Sequence, residues 1–293
     1  IQVRVLQARE ASGDADDPLV LLARHNLARV YAKSGRQRQA LEIERDVVRR
    51  FRASGQPLTS KVAEWYIDLG NDLTALGEID EAASVCEELL ENGRQIFAQD
   101  HPAILATKTM YGSILNARKQ HDKAEQIERE IVEAHRHDQV PIQYGLARAM
   151  SNLGLTLMYE GKLTESEDTL REALAILEKD AKPDMLRLTI LNNLAATLRF
   201  RKRFRDALPI CADIVRTAEQ VYPVGDWQIG ACKYGYAIAL ASTGKPEEAE
   251  TQLKEAYEII TKTLKPDDER VVAVMRTFVD STMPGRTAST TAS

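Results

Sequence analysis

The sequence predicts an all-α, right-handed solenoid of antiparallel helix pairs, and three observations predict it. The first is a spacing: Gly35, Gly77, Lys119, Gly161, Lys202 and Gly244 follow one another at intervals of 42, 42, 42, 41 and 42 residues. The second is that other positions repeat in register with these six. Eight before them stand Leu27, Leu69, Tyr111, Leu153, Leu194 and Tyr236; seven before, Ala28, Gly70, Gly112, Gly154, Ala195 and Ala237. Four before come Tyr31, Leu73, Leu115, Leu157, Leu198 and Leu240, and five after come Ala40, Ala82, Ala124, Ser166, Ala207 and Ala249. The third is proline at the joints between units: Pro18, Pro57, Pro102, Pro141, Pro183, Pro223 and Pro266.

Each residue type has a mechanical reason. A large, a small and a large residue at that spacing share one helical face, and the small one admits a neighbouring helix closely. Glycine at the reference position ends this helix A by taking up left-handed backbone. The Ala five later opens helix B on its tightly packed face. Lys119 and Lys202 interrupt the glycine series, so those turns are expected to close differently or at a cost. Pro246 opens a helix B, where its missing N–H is harmless, and Pro209, inside a helix B, is expected to bend it.

Along the chain, residues 1–13 are expected to form the helix B of a preceding unit, residues 14–266 six repeats, residues 267–283 a capping helix, and residues 284–293, rich in Ser, Thr and Ala, a disordered tail. The chain starts at Ile1 inside an amphipathic run, so it is expected to be part of a longer protein. Ile1, Val3, Val5 and Leu6 then offer a face for self-association.

Composition removes several functional classes. No segment reaches the roughly 18 apolar residues of a membrane helix. A net charge of −5 argues against a nucleic-acid binder. Cys86, Cys211 and Cys232 are too scattered for a disulfide framework or zinc site, which favours a reducing, cytoplasmic location. Lys and Arg against Asp and Glu number 11 and 7 in residues 1–60, 12 and 23 in 61–180, and 16 and 14 in 181–293. The acidic middle predicts a basic partner. No phosphate loop, dinucleotide fingerprint, nucleophile elbow or zinc-protease motif is present, so no catalysis, cofactor or metal is expected. His135 and His137 lie two apart on a helix and point to different faces. Cys86 and Cys211 share one helix B position, nine after the reference, and read as core. The acids Glu125, Glu128 and Glu130, with Glu165, Glu167 and Asp168, read as a solvated helix B face. Arg199, Arg201, Lys202, Arg203 and Arg205 form a basic turn that reads as surface, although it could hold a phosphate or an acidic peptide.

The pattern Leu-Gly/Ala-x-x-Leu/Tyr, then Gly, then Ala five residues on, resembles the tetratricopeptide repeat. Units about eight residues longer than the usual ~34, joints such as Asp100-His101-Pro102 and helix starts such as Asn192-Asn193-Leu194-Ala195 resemble the kinesin light chain-like subclass. The resemblance implies a non-catalytic scaffold that binds a peptide or protein segment in a groove lined by the A helices. Because the same repeats are appended to bacterial signalling kinases and NTPases, it also implies an alternative: a sensor or regulatory domain of a larger enzyme whose catalytic part lies upstream. The polar helix A positions that packing does not require are the candidate partner-binding residues. Nine before the reference these include Asn26, Asp68, Asn152 and Asn193, and six before it Arg29 and Asn71; Asn116, Arg148, Arg199 and Tyr234 complete the set. Asparagine suits this place because its amide pairs with both N–H and C=O of an extended peptide. Leu155, Ala196 and Ile238 make the later groove apolar, with Tyr159, Phe200 and Tyr234 as an aromatic patch. The Lys and Asn pattern of chaperone-tail clamps is not matched by His25, Arg29, Asp68, Ala106 and Met110.

Overall fold

A computed structural model of the protein describes residues 16–137, 143–177 and 184–282. The described residues form thirteen α-helices with no strand, and the chain divides into two compact units, Ile1–Val140 and Pro141–Ser293. The first unit contains α1 (Pro18–Lys33), α2 (Gln37–Ser54), α3 (Ser60–Ala75), α4 (Ile79–Gly93), α5 (Pro102–Ala117) and α6 (His121–His137). The second contains α7 (Gln143–Tyr159), α8 (Leu163–Leu177), α9 (Met185–Phe200), α10 (Phe204–Val221), α11 (Trp227–Ser242), α12 (Pro246–Thr263) and α13 (Glu269–Thr282). Within each unit every helix packs on the next in sequence, and the A helices α1 and α3, α3 and α5, and α7 and α9 also touch. The expected first helix, its self-association face and the tail after residue 283 lie outside the described residues.

The small residues do what their register predicts. Ala40, Ala82, Ala124 and Ser166 are fully buried where helix B meets helix A. Ser166 must satisfy its hydroxyl there: it donates to the Gly154 carbonyl at 2.7 Å and lies 3.0 Å from Thr197 Oγ1. Helix A starts are capped by side chains. Asp17, Thr59, Asp184 and Asp226 accept from the first-turn N–H groups of Leu19, Val62, Arg187 and Gln228. His101 does the same for Ala103, at 3.2 Å. α10 continues through Pro209. α13 buries Val271 and Val274 in one cluster with Leu253, Ala256 and Ile260 of α12.

The A-to-B turns resolve the lysine question. Gly35, Gly77, Gly161 and Gly244 have φ of +77° to +81°, and Lys119 and Lys202 both take φ +60°. The lysine turns also keep the same hydrogen bonds, from Gln120 N–H to the Leu115 carbonyl at 2.8 Å and from Arg203 N–H to the Leu198 carbonyl at 2.9 Å. They therefore close like the others, with left-handed strain as the cost. Lys119→Gly and Lys202→Gly should each stabilise the protein by about 1 kcal/mol, measured as a higher urea midpoint. An unchanged midpoint in both would show that the turns carry no strain.

Candidate functional site

In the first unit, burial gathers polar groups where packing alone calls for apolar ones. His25 of α1 and Glu44 of α2 are 0% and 1% exposed. His25 Nδ1 lies 3.0 Å from Glu44 Oε1, and its Nε2 faces Asp68 of α3 at 3.7 Å. Asp68 Oδ2 in turn lies 3.5 Å from Nε of the exposed Arg29. Burial pushes Glu44 up to about 9, helped by Asp68 and Asp72, while burial pushes His25 down to about 4 against the pull of Asp68. The two therefore share a single proton over most of the pH range. A protonated Glu44 donates to Nδ1, which leaves the ring proton on Nε2 facing Asp68. The result is a chain from a buried carboxyl to a surface arginine.

One ligand atom from each of His25, Glu44 and Asp68 falls within 4.8 Å of the others, the spacing of a metal site. The carboxylates lie against different ring nitrogens, however, and an imidazole offers an ion only one. The arrangement fits a row of polar groups, hydrogen-bonded at Nδ1 and electrostatic at Nε2, better than convergent ligands. Nor does it suit catalysis, because the two titrating groups are closed to any substrate.

The second unit holds a different kind of site. A cavity of about 370 Å³ lies between α9, α10 and α11. Ala195 and Ala196 of α9 and Ala231 and Gly235 of α11 make its walls, and Cys211 and Ile214 of α10 its floor. The cavity exists because two A-helix positions that carry large or polar residues in other repeats carry Ala196 and Gly235 here. No heavy atom lies within 4 Å of where a Cβ on Gly235 would sit. Burial raises both thiols, that of Cys232 to about 11, and Arg199 opposes the rise at Cys211. Phe204 and Ile238 line the cavity with much of their surface exposed. Tyr159 and Phe200 are exposed elsewhere on the A helices.

The basic turn beside this cavity is split in two by a carboxylate the sequence reading placed in solvent. Glu167 is only 4% exposed, and it accepts from Arg171, Arg201 and Arg203. Burial alone would raise its pKa, but the three guanidiniums, Arg171 foremost, outweigh burial and hold it below the usual carboxylate range. Arg199, Lys202 and Arg205 have no carboxylate partner among the described residues. Glu128 is likewise corrected from solvated to buried, at 1% exposure. Other acids of the middle are engaged with basic residues of adjoining helices. Arg45 pairs with Glu78 and Glu81, Arg52 with Glu88, Arg118 with Asp80 and Lys108 with Glu130.

Of the residues chosen from sequence, Arg29 and Asp68 are brought together on the buried chain. Asn26 is half-buried and Asn71 exposed in the same unit, and the Asn116 Oδ1 accepts from His121 Nδ1 at 2.9 Å. In the second unit Arg199 lines the cavity, Arg148 is exposed and Asn152 half-buried. The Asn193 amide braces α9 on α7, 3.3 Å from Ser151 Oγ. Tyr234 is turned to the capping helix, its hydroxyl 2.9 Å from Thr277 Oγ1, so it does not join an aromatic patch with Tyr159 and Phe200. Glu44 was missed. Its position, nine after the reference, is the one read as core at Cys86 and Cys211, and that register is the signal that could have found it.

No curated protein matches the sequence significantly. Solved structures share the fold at low identity. A Podosopora anserina kinesin light chain of nearly identical TPR-like repeats is 18% identical with a TM-score of 0.61, over 70% of this chain and 97% of that one. A signal transduction ATPase with numerous domains from Pyrococcus horikoshii, carrying a tetratricopeptide repeat sensor, is 14% identical with a TM-score of 0.72; 96% of this chain covers 40% of it. A Rap protein in complex with competence and sporulation factor is 13% identical with a TM-score of 0.60, over 96% and 80% of the two chains. A family profile described as tetratricopeptide repeat matches residues 61–137 and 145–220, and a second of that description matches 20–54 and 237–269. With the 42-residue register, the paired helices and these matches together, the chain belongs to the tetratricopeptide repeat family.

Proposed function

We propose that this protein is a non-catalytic interaction module that binds a peptide or protein segment on the helix A face of its second unit. Proteins of the family are generally interaction scaffolds. The observation that carries the reading to this face is the cavity beside Arg199, with exposed Phe204 and Ile238 at its edge, because exposed large apolar groups beside unpaired charge mark binding surfaces. For this unit the reading departs from the basic partner that the charge count suggests, since cations rather than acids stand at the cavity. Arg29, Asn71 and Asn26 remain candidates for the corresponding face of the first unit.

The test is affinity capture by the full chain, compared with Arg199→Glu/Ile238→Asp and with a control on helix B, Glu250→Lys. Partners lost with the first variant and kept by the second support the reading. An identical set on all three sinks it.

A second reading, a sensor or regulatory domain, is favoured by the likeness of 96% of this chain to part of an ATPase that carries such a sensor. The sequence encoded immediately before Ile1 tests it: a kinase or NTPase domain supports the reading, and its absence there overturns it.

A further inference from the structure

We infer that His25 Nε2 and the Asp68 carboxylate bind a divalent transition ion of the Zn²⁺ type, which clips α1 to α3 while Glu44 holds the ring from its other side. Three convergent ligands do not fit here, because the two carboxylates lie against opposite ring nitrogens. One nitrogen and one carboxylate do.

The first observation is an orphaned atom. His25 is completely buried, yet its Nε2 makes no hydrogen bond, while its Nδ1 lies 3.0 Å from Glu44 Oε1. A buried ring nitrogen without a partner is costly, and this one is aimed at Asp68 Oδ2 across 3.7 Å. The gap is too long for a hydrogen bond and close to the span of an ion. With bonds of about 2.1 Å from Zn²⁺ to nitrogen and oxygen, two tetrahedral ligands stand roughly 3.4 Å apart. A shift of a few tenths of an ångström in the Asp68 side chain therefore seats the ion.

The second observation is the carboxylate behind the ring. A histidine that holds a metal donates its other ring N–H to a carboxylate or carbonyl, which sets the tautomer and aims the free nitrogen. Glu44, fully buried against Nδ1, stands in that place. On binding, the Nε2 proton leaves to solvent and the Glu44 proton passes to Nδ1, so that the ring donates to an ionised Glu44. The charge of the ion then offsets that of the buried carboxylate.

The surroundings set the class of ion and its competitor. An imidazole nitrogen selects Zn²⁺, Co²⁺ or Ni²⁺ over Mg²⁺ and Ca²⁺, which prefer oxygen. Asp72, one turn beyond Asp68 on α3, and Glu64 add negative charge nearby. Lys61 and Arg29 oppose it, and Arg29 Nε lies 3.5 Å from the same Asp68 oxygen that faces the ring. Arg29 is half exposed, so it can swing into solvent when the ion arrives. Asp68 is 35% exposed, and water reaches the remaining coordination positions from that side.

The experiment titrates ZnCl₂ by calorimetry into the full chain, stripped with EDTA and dialysed, and records the histidine ring nitrogens of ¹⁵N-labelled protein in saturating Zn²⁺. The expected result is one ion whose affinity falls at least tenfold in Asp68→Asn, falls about tenfold in Glu44→Gln and rises several-fold in Arg29→Gln. A large excess of Mg²⁺ leaves it in place. In the spectra His25 Nε2 carries the ion and Nδ1 the proton. Zn²⁺ also raises the melting temperature of the wild type and not that of Asp68→Asn. Neither Asp68 nor Arg29 is buried, so these two variants keep the fold, which melting in EDTA verifies, and they decide the matter whether or not Glu44→Gln folds.

Zn²⁺ that binds the wild type, Asp68→Asn and Arg29→Gln alike, or that leaves the Nε2 proton of His25 in place, is held by surface groups elsewhere and overturns the inference. An absence of binding does the same. A metal on Nδ1 overturns it too, because Glu44 would then be the ligand and Asp68 the outer partner.

Discussion

Glu44→Ala should destabilise the first unit by about 2–4 kcal/mol, because it strands a buried imidazole nitrogen and leaves a void beside it. His25 has no solvent to turn to, since both residues are essentially fully buried. Removing the two together is different. In His25→Leu/Glu44→Leu the polar requirement disappears along with the group that met it, so stability should return to within about 1 kcal/mol of the wild type. Urea unfolding of the wild type, His25→Leu, Glu44→Leu and the double variant measures the coupling directly. If Glu44→Ala costs less than about 0.5 kcal/mol, as a surface substitution does, the buried chain is not formed.

The same pair sets a pH dependence whose sign follows from counting protons. Unfolded, Glu44 and His25 titrate at their ordinary values of 4.5 and 6.5; folded, the pair takes up its second proton only near 4 and gives up its first only near 9. Between 4.5 and 6.5 each state holds one proton, so stability is level. Above 6.5 the folded pair keeps a proton that the unfolded chain has lost. Stability therefore falls as pH rises toward 9, by on the order of 3 kcal/mol at about 1.4 kcal/mol per pH unit. Just below 4.5 the unfolded chain holds the extra proton, and stability falls again toward acid. Subtracting the profile of His25→Leu/Glu44→Leu isolates this contribution. A difference that stays flat from pH 6.5 to 9 would show that Glu44 is ionised in the fold.

The fold was legible because a solenoid repeats its packing code. Six copies of one register identify Ala28 and Ala40 as facing positions without any long-range information, and the structure buries both completely. The site was legible only where it departed from that code by omission. Ala196 and Gly235 stood in the aligned rows as the small members of otherwise larger sets, and together they open the cavity. The buried acids were hidden by composition. Glu44 and Glu128 occupy the row that holds Cys86 and Cys211, yet a carboxylate on a helix rich in carboxylates reads as solvent-facing. Register outranks residue type in such a fold, since position decides burial and chemistry must then adapt to it. Glu167 lies three places before that row and was found only in three dimensions, through Arg201 and Arg203 arriving from the next repeat. Tyr234 was misread for a related reason: its partner, Thr277, belongs to the capping helix, outside the repeat.

Two glycines on A helices of the second unit should respond to the same substitution with opposite signs. Gly235→Ala should stabilise the protein by up to about 1 kcal/mol, since it gains helix propensity and meets no neighbour. Gly154→Ala gains the same propensity but places its Cβ 2.6 Å from Leu170 Cγ and 2.7 Å from Cδ2. Leu170 is completely buried on α8 and has no open space to enter. Overpacking of this kind costs about 1–3 kcal/mol, so the net change should be a loss of about 1–2. Repeat six shows why the loss is moderate: it buries Ala237 and Leu253 at the matching positions, so the fold accepts that pair of residues. The conflict should then be specific to Leu170. Leu170→Ala should cost less in the Gly154→Ala background than in the wild type, because the methyl group fills part of the space the leucine leaves. Melting temperatures of the two glycine variants and the Leu170 cycle decide the matter. Additive losses, or a Gly154→Ala protein as stable as Gly235→Ala, would mean that α7 and α8 are free to separate and that the small residue at this position sets no limit on their approach.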